Sequence, residues 1–124
     1  MRVDPILTPD SWEEHYSSFV LDIKRAGINF RFWTLGTYRE KNTQLDAWRE
    51  RWGLPPMEWQ PSDNELVKDG THRHLPEQRR IDIYRKMVNI IRQEFPRARI
   101  SLCKETHTVR KEVALCNADC NCLI

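Results

Sequence analysis

The sequence has no long apolar run. Its hydrophobic residues make up 40% of 124, but charged residues interrupt them throughout, which excludes a membrane-spanning helix of about 20 apolar residues. The opening Met1-Arg2-Val3-Asp4-Pro5 lacks the apolar centre of a secretory signal. The expectation is a cytoplasmic protein with no membrane partner. A large excess of charge of one sign is missing too: 20 Lys and Arg face 18 Asp and Glu, a formal charge of +2, too small to argue for nucleic acid by itself. There is no internal repeat and no low-complexity linker, so one domain over residues 1–124 is expected. Cysteines spread along the chain, as a disulfide framework needs, are also lacking. Of the four, Cys116, Cys120 and Cys122 fall within the last nine residues and only Cys103 stands apart. They read as free or metal-bound thiols of a reducing compartment.

What is present suits a soluble α/β domain. The charged fraction is 31%, ordinary for a globular chain. Arginine supplies 14 of the 20 basic residues, and a guanidinium favours bidentate phosphate or carboxylate contacts more than an ammonium does. Residues 2–7 read as a short strand. Thr8-Pro9-Asp10 reads as a helix start, and Trp12, Tyr16, Phe19, Val20 and Ile23 recur at helical spacing up to Gly27. Residues 28–35, rich in β-branched and aromatic types, predict a second strand. Leu45, Trp48 and Trp52 make a short helical stripe that Gly53-Leu54-Pro55-Pro56 stops; such aromatic stripes are expected to be core. An inserted hairpin is expected over about 57–75, turning at Asp69-Gly70. A long helix opens at Pro76 and carries Ile81, Tyr84, Val88, Ile91 and Phe95. Residues 99–103 predict a third strand, and Thr106 caps a last helix bearing Val109 and Val113.

Strands separated by helices imply parallel βα units. Three parallel strands leave two sheet edges, and the first begins almost at Met1, so a preceding unit or a partner subunit is expected to complete the sheet, with Val3 and Ile6 poorly covered on one side. In parallel α/β folds the chemistry gathers at the carboxyl ends of the strands. That rule selects Asp4, then Thr37 and Arg39, then Cys103, Lys104 and Glu105. A carboxylate, a guanidinium, an ammonium and a thiol on one rim could hold a polar ligand; the alternative is that they pair with one another and orient loops. The tail over 116–124 offers Cys116, Cys120 and Cys122 as thiolates for zinc or an iron-sulfur centre. The hairpin carries Lys68, His72, Arg73 and His74. With His72 and His74 on one face and Arg73 on the other, its tip could meet phosphates or stay solvated. His15 and His107 read as surface residues.

Several of these segments, in order, resemble the spore photoproduct lyase-like group of radical SAM proteins. They are Arg2-Val3-Asp4-Pro5-Ile6, Leu35-Gly36-Thr37-Tyr38-Arg39, Asp69-Gly70 leading to Arg73 and Pro76, Arg80-x-x-x-Tyr84, Ile100-Ser101-Leu102-Cys103-Lys104-Glu105 and Cys120-Asn121-Cys122. The resemblance implies the C-terminal βα units of a partial (β/α) barrel with an inserted β-hairpin that meets DNA. It also implies an enzyme using S-adenosylmethionine and a [4Fe-4S] cluster in radical repair of a thymine dimer. Cys103 and Glu105 would then be catalytic, with Asp4, Thr37, Arg39 and Lys104 facing substrate or cofactor. Two departures stand out. The C-x-x-x-C-x-x-C motif is absent, and Cys116-x-x-x-Cys120-x-Cys122 differs from it in spacing and position, so the chain alone is not expected to cleave S-adenosylmethionine. His74 stands where the family more often has tyrosine. The second expectation, of another class, is a non-catalytic nucleic-acid- or protein-binding module with a metal-binding cysteine tail.

Overall fold

The computed structural model describes residues 1–40, 44–55, 60–61 and 73–113. Along them run β1 (Arg2–Ile6), α1 (Trp12–Arg25), β2 (Phe32–Thr37), β3 (Arg39–Glu40), α2 (Gln44–Arg51), β4 (Gln60–Pro61), β5 (Arg73–His74), α3 (Glu77–Glu94), β6 (Arg99–Leu102) and α4 (His107–Glu112). The fold is mixed α/β. β1, β2 and β6 form a parallel sheet in that spatial order, with Val3 beside Leu35 and Leu35 beside Leu102. A second, antiparallel sheet of two-residue strands has the order β3-β5-β4.

Period-2 alternation sorts the parallel strands into two faces. Val3, Trp33, Leu35, Ile100 and Leu102 are buried. They share one core with Val20 and Ile23 of α1 and with Ile81, Tyr84, Met87, Val88 and Ile91 of α3. Both long helices therefore cover the same side of the sheet, and they pack against each other. The opposite face carries Arg2, Asp4, Phe32, Thr34, Arg99 and Ser101, all half-buried or exposed. There Thr34 Oγ1 and Ser101 Oγ lie 3.1 Å apart, a cross-strand hydroxyl pair.

The element ends follow local chemistry. At the end of α1 the Gly27 N–H donates to the Lys24 carbonyl (3.0 Å) and the Ile28 N–H to that of Ile23 (3.3 Å). Gly27 sits at φ +75°, a left-handed conformation that only glycine adopts without penalty, so this is a Schellman stop. Gly53 at φ +67° ends α2 the same way, with Leu54 N–H donating to the Arg49 carbonyl (2.9 Å). Pro76 precedes α3, and its carbonyl accepts the Arg80 N–H (3.0 Å). Thr106 caps α4 by accepting from the Val109 N–H (3.3 Å).

Four sequence expectations need correction. The first helix starts at Trp12 rather than at Thr8-Pro9. Ser11 is at φ 60° with no side-chain cap, and the Trp12 N–H closes a turn on the Pro9 carbonyl (3.1 Å). The second strand starts at Phe32, not residue 28, because Ile28 still serves the helix stop. Trp48 and Trp52 are 55% and 74% exposed, not core. Helical spacing makes a face but supplies no partner for it, and the Trp48 ring instead stacks on the Arg51 guanidinium, 5.3 Å from its centroid. Finally, β1 is an edge strand among the described residues, yet Val3 and Ile6 are only 9% and 1% exposed. Their cover comes from the helical layer, so it does not need another strand. The expected Asp69-Gly70 turn lies outside the described residues; what is described is β5 paired with both β3 and β4.

Leu35 occupies the centre of the middle strand with no exposed surface. Leu35→Ala is expected to destabilise the chain by about 2–5 kcal/mol, whereas Phe32→Ala on the exposed end of the same strand should cost under about 1 kcal/mol. Urea unfolding of the two variants checks the contrast.

Candidate functional site at the carboxyl end of the parallel sheet

The carboxyl end of the sheet is organised around one carboxylate. Glu105 follows β6 and is 7% exposed. Arg80, 1% exposed, brings its Nε to 3.1 and 3.3 Å from the two carboxylate oxygens. The Tyr84 hydroxyl donates to Glu105 Oε1 (2.8 Å), and Arg39 Nη2 lies 3.6 Å from the same oxygen. Arg80 and Tyr84 are one helical turn apart on α3, so their i, i+4 spacing places both on the face that meets the sheet. Burial, with Glu105 adding to it, pushes the Tyr84 phenol far above the ordinary tyrosine range. It stays protonated and keeps donating.

The same network reaches the other elements. Tyr84 Oη accepts the backbone N–H of Thr37 at the end of β2 (3.0 Å). Arg39, in β3, donates from Nη2 to the Cys103 carbonyl (3.0 Å) and to the Lys104 carbonyl. Lys104 is at φ 49°, so the chain turns sharply after β6 and presents both carbonyls to one guanidinium. Arg80 Nη1 donates to the Leu75 carbonyl (2.6 Å) and approaches His74 Nδ1 (2.7 Å). His74 Nδ1 also lies 2.9 Å from the Leu75 carbonyl, so it either accepts from Arg80 or donates to Leu75 according to the ring tautomer.

Beside this network lies a second group, in which Arg2 and Asp4 stand on the uncovered face and Cys103 is buried, 1% exposed. Arg2 Nη2 donates to Asp4 Oδ2 (2.7 Å) and to Cys103 Sγ (3.2 Å). Gly36 is required next to them, since a Cβ there would run into the Asp4 carboxylate. Burial and then the Asp4 charge push the Cys103 thiol above its ordinary range. It is a protonated thiol, not an activated nucleophile.

The six rim residues selected from sequence thus divide into two adjoining sets. Thr37, Arg39 and Glu105 join the buried network, with Lys104 contributing through its backbone. Asp4 and Cys103 form the second set with Arg2. Asp4 reaches the rim by its side chain, from within β1. Of the hairpin residues, Arg73 is half-buried and pairs with Asp46 (3.3 Å). His74 is 2% exposed, so its ring belongs to the interior rather than to a projecting tip. Lys68, His72, Cys116, Cys120 and Cys122 lie outside the described residues. Sequence reasoning missed Arg80 and Tyr84 as site residues. Their signal was an arginine on an otherwise apolar helix face, one turn before a tyrosine.

Comparison with family models, curated proteins and solved structures finds no match for this chain.

Chemically, the rim offers two guanidiniums around one buried carboxylate and, alongside, a protonated thiol between a carboxylate and an arginine. Removing the central charge takes from Arg39 and Arg80, both poorly exposed, the carboxylate they share. Glu105→Gln is therefore expected to cost about 3–5 kcal/mol, read by chemical denaturation. The thiol gives a pH-dependent test. With its pKa raised in the fold, Cys103 contributes stability that is complete below the unfolded thiol value of about 8.5 and is lost as pH rises through the folded one. Asp4→Asn removes a cause of the shift, lowers the thiol pKa and increases the thiolate fraction. Because Cys103 is buried, the change is read without a reagent: with Cys116, Cys120 and Cys122 replaced by serine, the ultraviolet absorbance of the Cys103 thiolate should appear at lower pH in Asp4→Asn than in the same chain with Asp4.

Proposed function

We propose that the chain is the C-terminal part of a radical SAM, spore photoproduct lyase-like DNA repair enzyme, in which it forms the substrate-side rim of a partial (β/α) barrel. One observation carries the reading: the parallel strands run in sequential spatial order with both long helices on a single face. A doubly wound sheet places helices on both faces. A barrel wall keeps them outside and turns the other face, here bearing Arg2, Asp4, Thr34 and Ser101, towards the interior. Three strands cannot close a barrel, so the rest of the wall must come from another part of the protein or from a partner subunit.

In this reading Asp4, Arg39 and Lys104 border the substrate and cofactor space, and the buried Cys103 thiol lies behind Arg2 and Asp4. Glu105 acts through Arg80, Arg39 and Tyr84, which makes it a positioning residue. Arg73 remains the described hairpin residue best placed to meet DNA. Among the described residues no group of three His, Cys, Asp or Glu side chains could hold a metal ion. A [4Fe-4S] cluster therefore does not fit the described part, and no step is assigned through it. S-adenosylmethionine cleavage would depend on cluster ligands elsewhere.

Reductive cleavage of S-adenosylmethionine to 5′-deoxyadenosine tests the proposal. With dithionite as the electron donor, the purified chain reconstituted with iron and sulfide should form none. Co-expression with a barrel segment carrying C-x-x-x-C-x-x-C, encoded beside it, should give a complex that forms it. Such a complex with Arg39→Ala should lose substrate turnover by at least about tenfold. A stable monomer that ignores any such segment overturns the proposal and favours the non-catalytic binding module.

A further inference from the structure

At the end of the sheet opposite the rim, the starts of β2 and β6 border a cavity of about 750 Å³. Lys24, Arg31, Arg97 and Arg99 line it, with Glu94 as its single acidic residue. The Arg99 N–H donates to the Arg31 carbonyl (2.8 Å), which holds the backbone just before β2 against the start of β6, and Arg97 lies two residues before Arg99. Among the described residues no carboxylate lies within ion-pair distance of Arg31, Arg97 or Arg99. Lys24 donates instead to the Glu94 backbone carbonyl (2.7 Å). The same cavity wall carries Phe32, 61% exposed, and the Arg99 guanidinium lies 5.5 Å from its ring centroid. Phe95 and Ala98 are its buried apolar lining.

We propose that this groove binds single-stranded nucleic acid, with the phosphate backbone on Arg31, Arg97 and Arg99 and a base stacked on Phe32. The guanidiniums match phosphate oxygens bidentately, and an exposed aromatic plane beside them gives a base its platform. Phe32 is 61% exposed with the Arg99 guanidinium over its ring, so a base can stack on the ring surface still open, which an acidic peptide would leave to water. A bilayer needs a projecting apolar surface, and this one is concave. The groove and the rim occupy opposite ends of the strands, but Phe32 and Arg99 stand on the sheet face that the enzymatic reading above turns inward, so the test uses this chain alone, where that face is open.

The test is fluorescence anisotropy of a short fluorescein-labelled oligothymidylate titrated with the full chain over a sodium chloride series. Affinity should fall as salt rises. The Arg31→Ala/Arg97→Ala/Arg99→Ala variant should lower the slope of log affinity against log salt by about 2, at about 0.7 for each phosphate that is no longer neutralised. Phe32→Ala should weaken binding about tenfold with the slope unchanged. Circular dichroism confirms that each variant is folded. Arg85→Ala, at an exposed arginine of α3 paired with Glu112 and outside both the groove and the rim, should alter neither quantity. The proposal is overturned if the triple variant and Phe32→Ala each bind the oligonucleotide as tightly as the unaltered chain. It is equally overturned if Arg85→Ala abolishes binding, if polyglutamate of equal charge displaces the oligonucleotide fully, or if the chain binds phosphatidylglycerol vesicles and not the oligonucleotide.

Discussion

The Glu105 carboxylate is the constraint on which the rest of this structure depends. Arg80 and Tyr84 bring α3 to it, Thr37 joins the end of β2 through Tyr84, Arg39 brings the small sheet, and Arg80 ties in Leu75 and His74. A buried carboxylate costs several kcal/mol to desolvate, and only matched charges with well-placed hydrogen bonds offset it. Here two guanidiniums and a phenol do so together. Each member is correctly placed only if the helix and both sheets are assembled, which couples local order at the rim to the packing of the whole fold.

The two sheet ends have different chemistry because their side chains are held differently. At the carboxyl end the arginines are turned inward onto a carboxylate and backbone carbonyls. At the amino end Arg31, Arg97 and Arg99 face outward and meet no carboxylate among the described residues, beside an exposed phenylalanine. Arginine enrichment in the composition is thus divided between an interior network that orders loops and an exterior surface suited to anions. Net charge alone, at +2, conceals that division.

Much of the architecture was legible because it rests on local rules. Ile81, Tyr84, Val88, Ile91 and Phe95 marked the buried face of α3, Gly27 and Gly53 marked helix stops, and Thr106 marked a cap. The failures were places where spacing was read as burial. Trp48 and Trp52 have helical periodicity but stay exposed, and Ile28 has strand composition but completes a helix stop. His74 alternates like a hairpin surface residue, yet the approach of Arg80 takes it inside. The strand-end rule found Thr37, Arg39 and Glu105, but not Arg80 or Tyr84, which come from the chain's longest helix.

The sequence by itself determined the element types, the alternating strands and the apolar helix faces, because those follow from short-range periodicity and backbone preference. Tertiary structure decided which face of the parallel sheet both helices cover, that Val3 and Ile6 are covered without a further strand, and which of many arginines share one carboxylate. Those outcomes depend on interactions between residues far apart in the chain, such as Arg39 with Cys103 and Tyr84 with Thr37. No local pattern encodes how such distant groups meet.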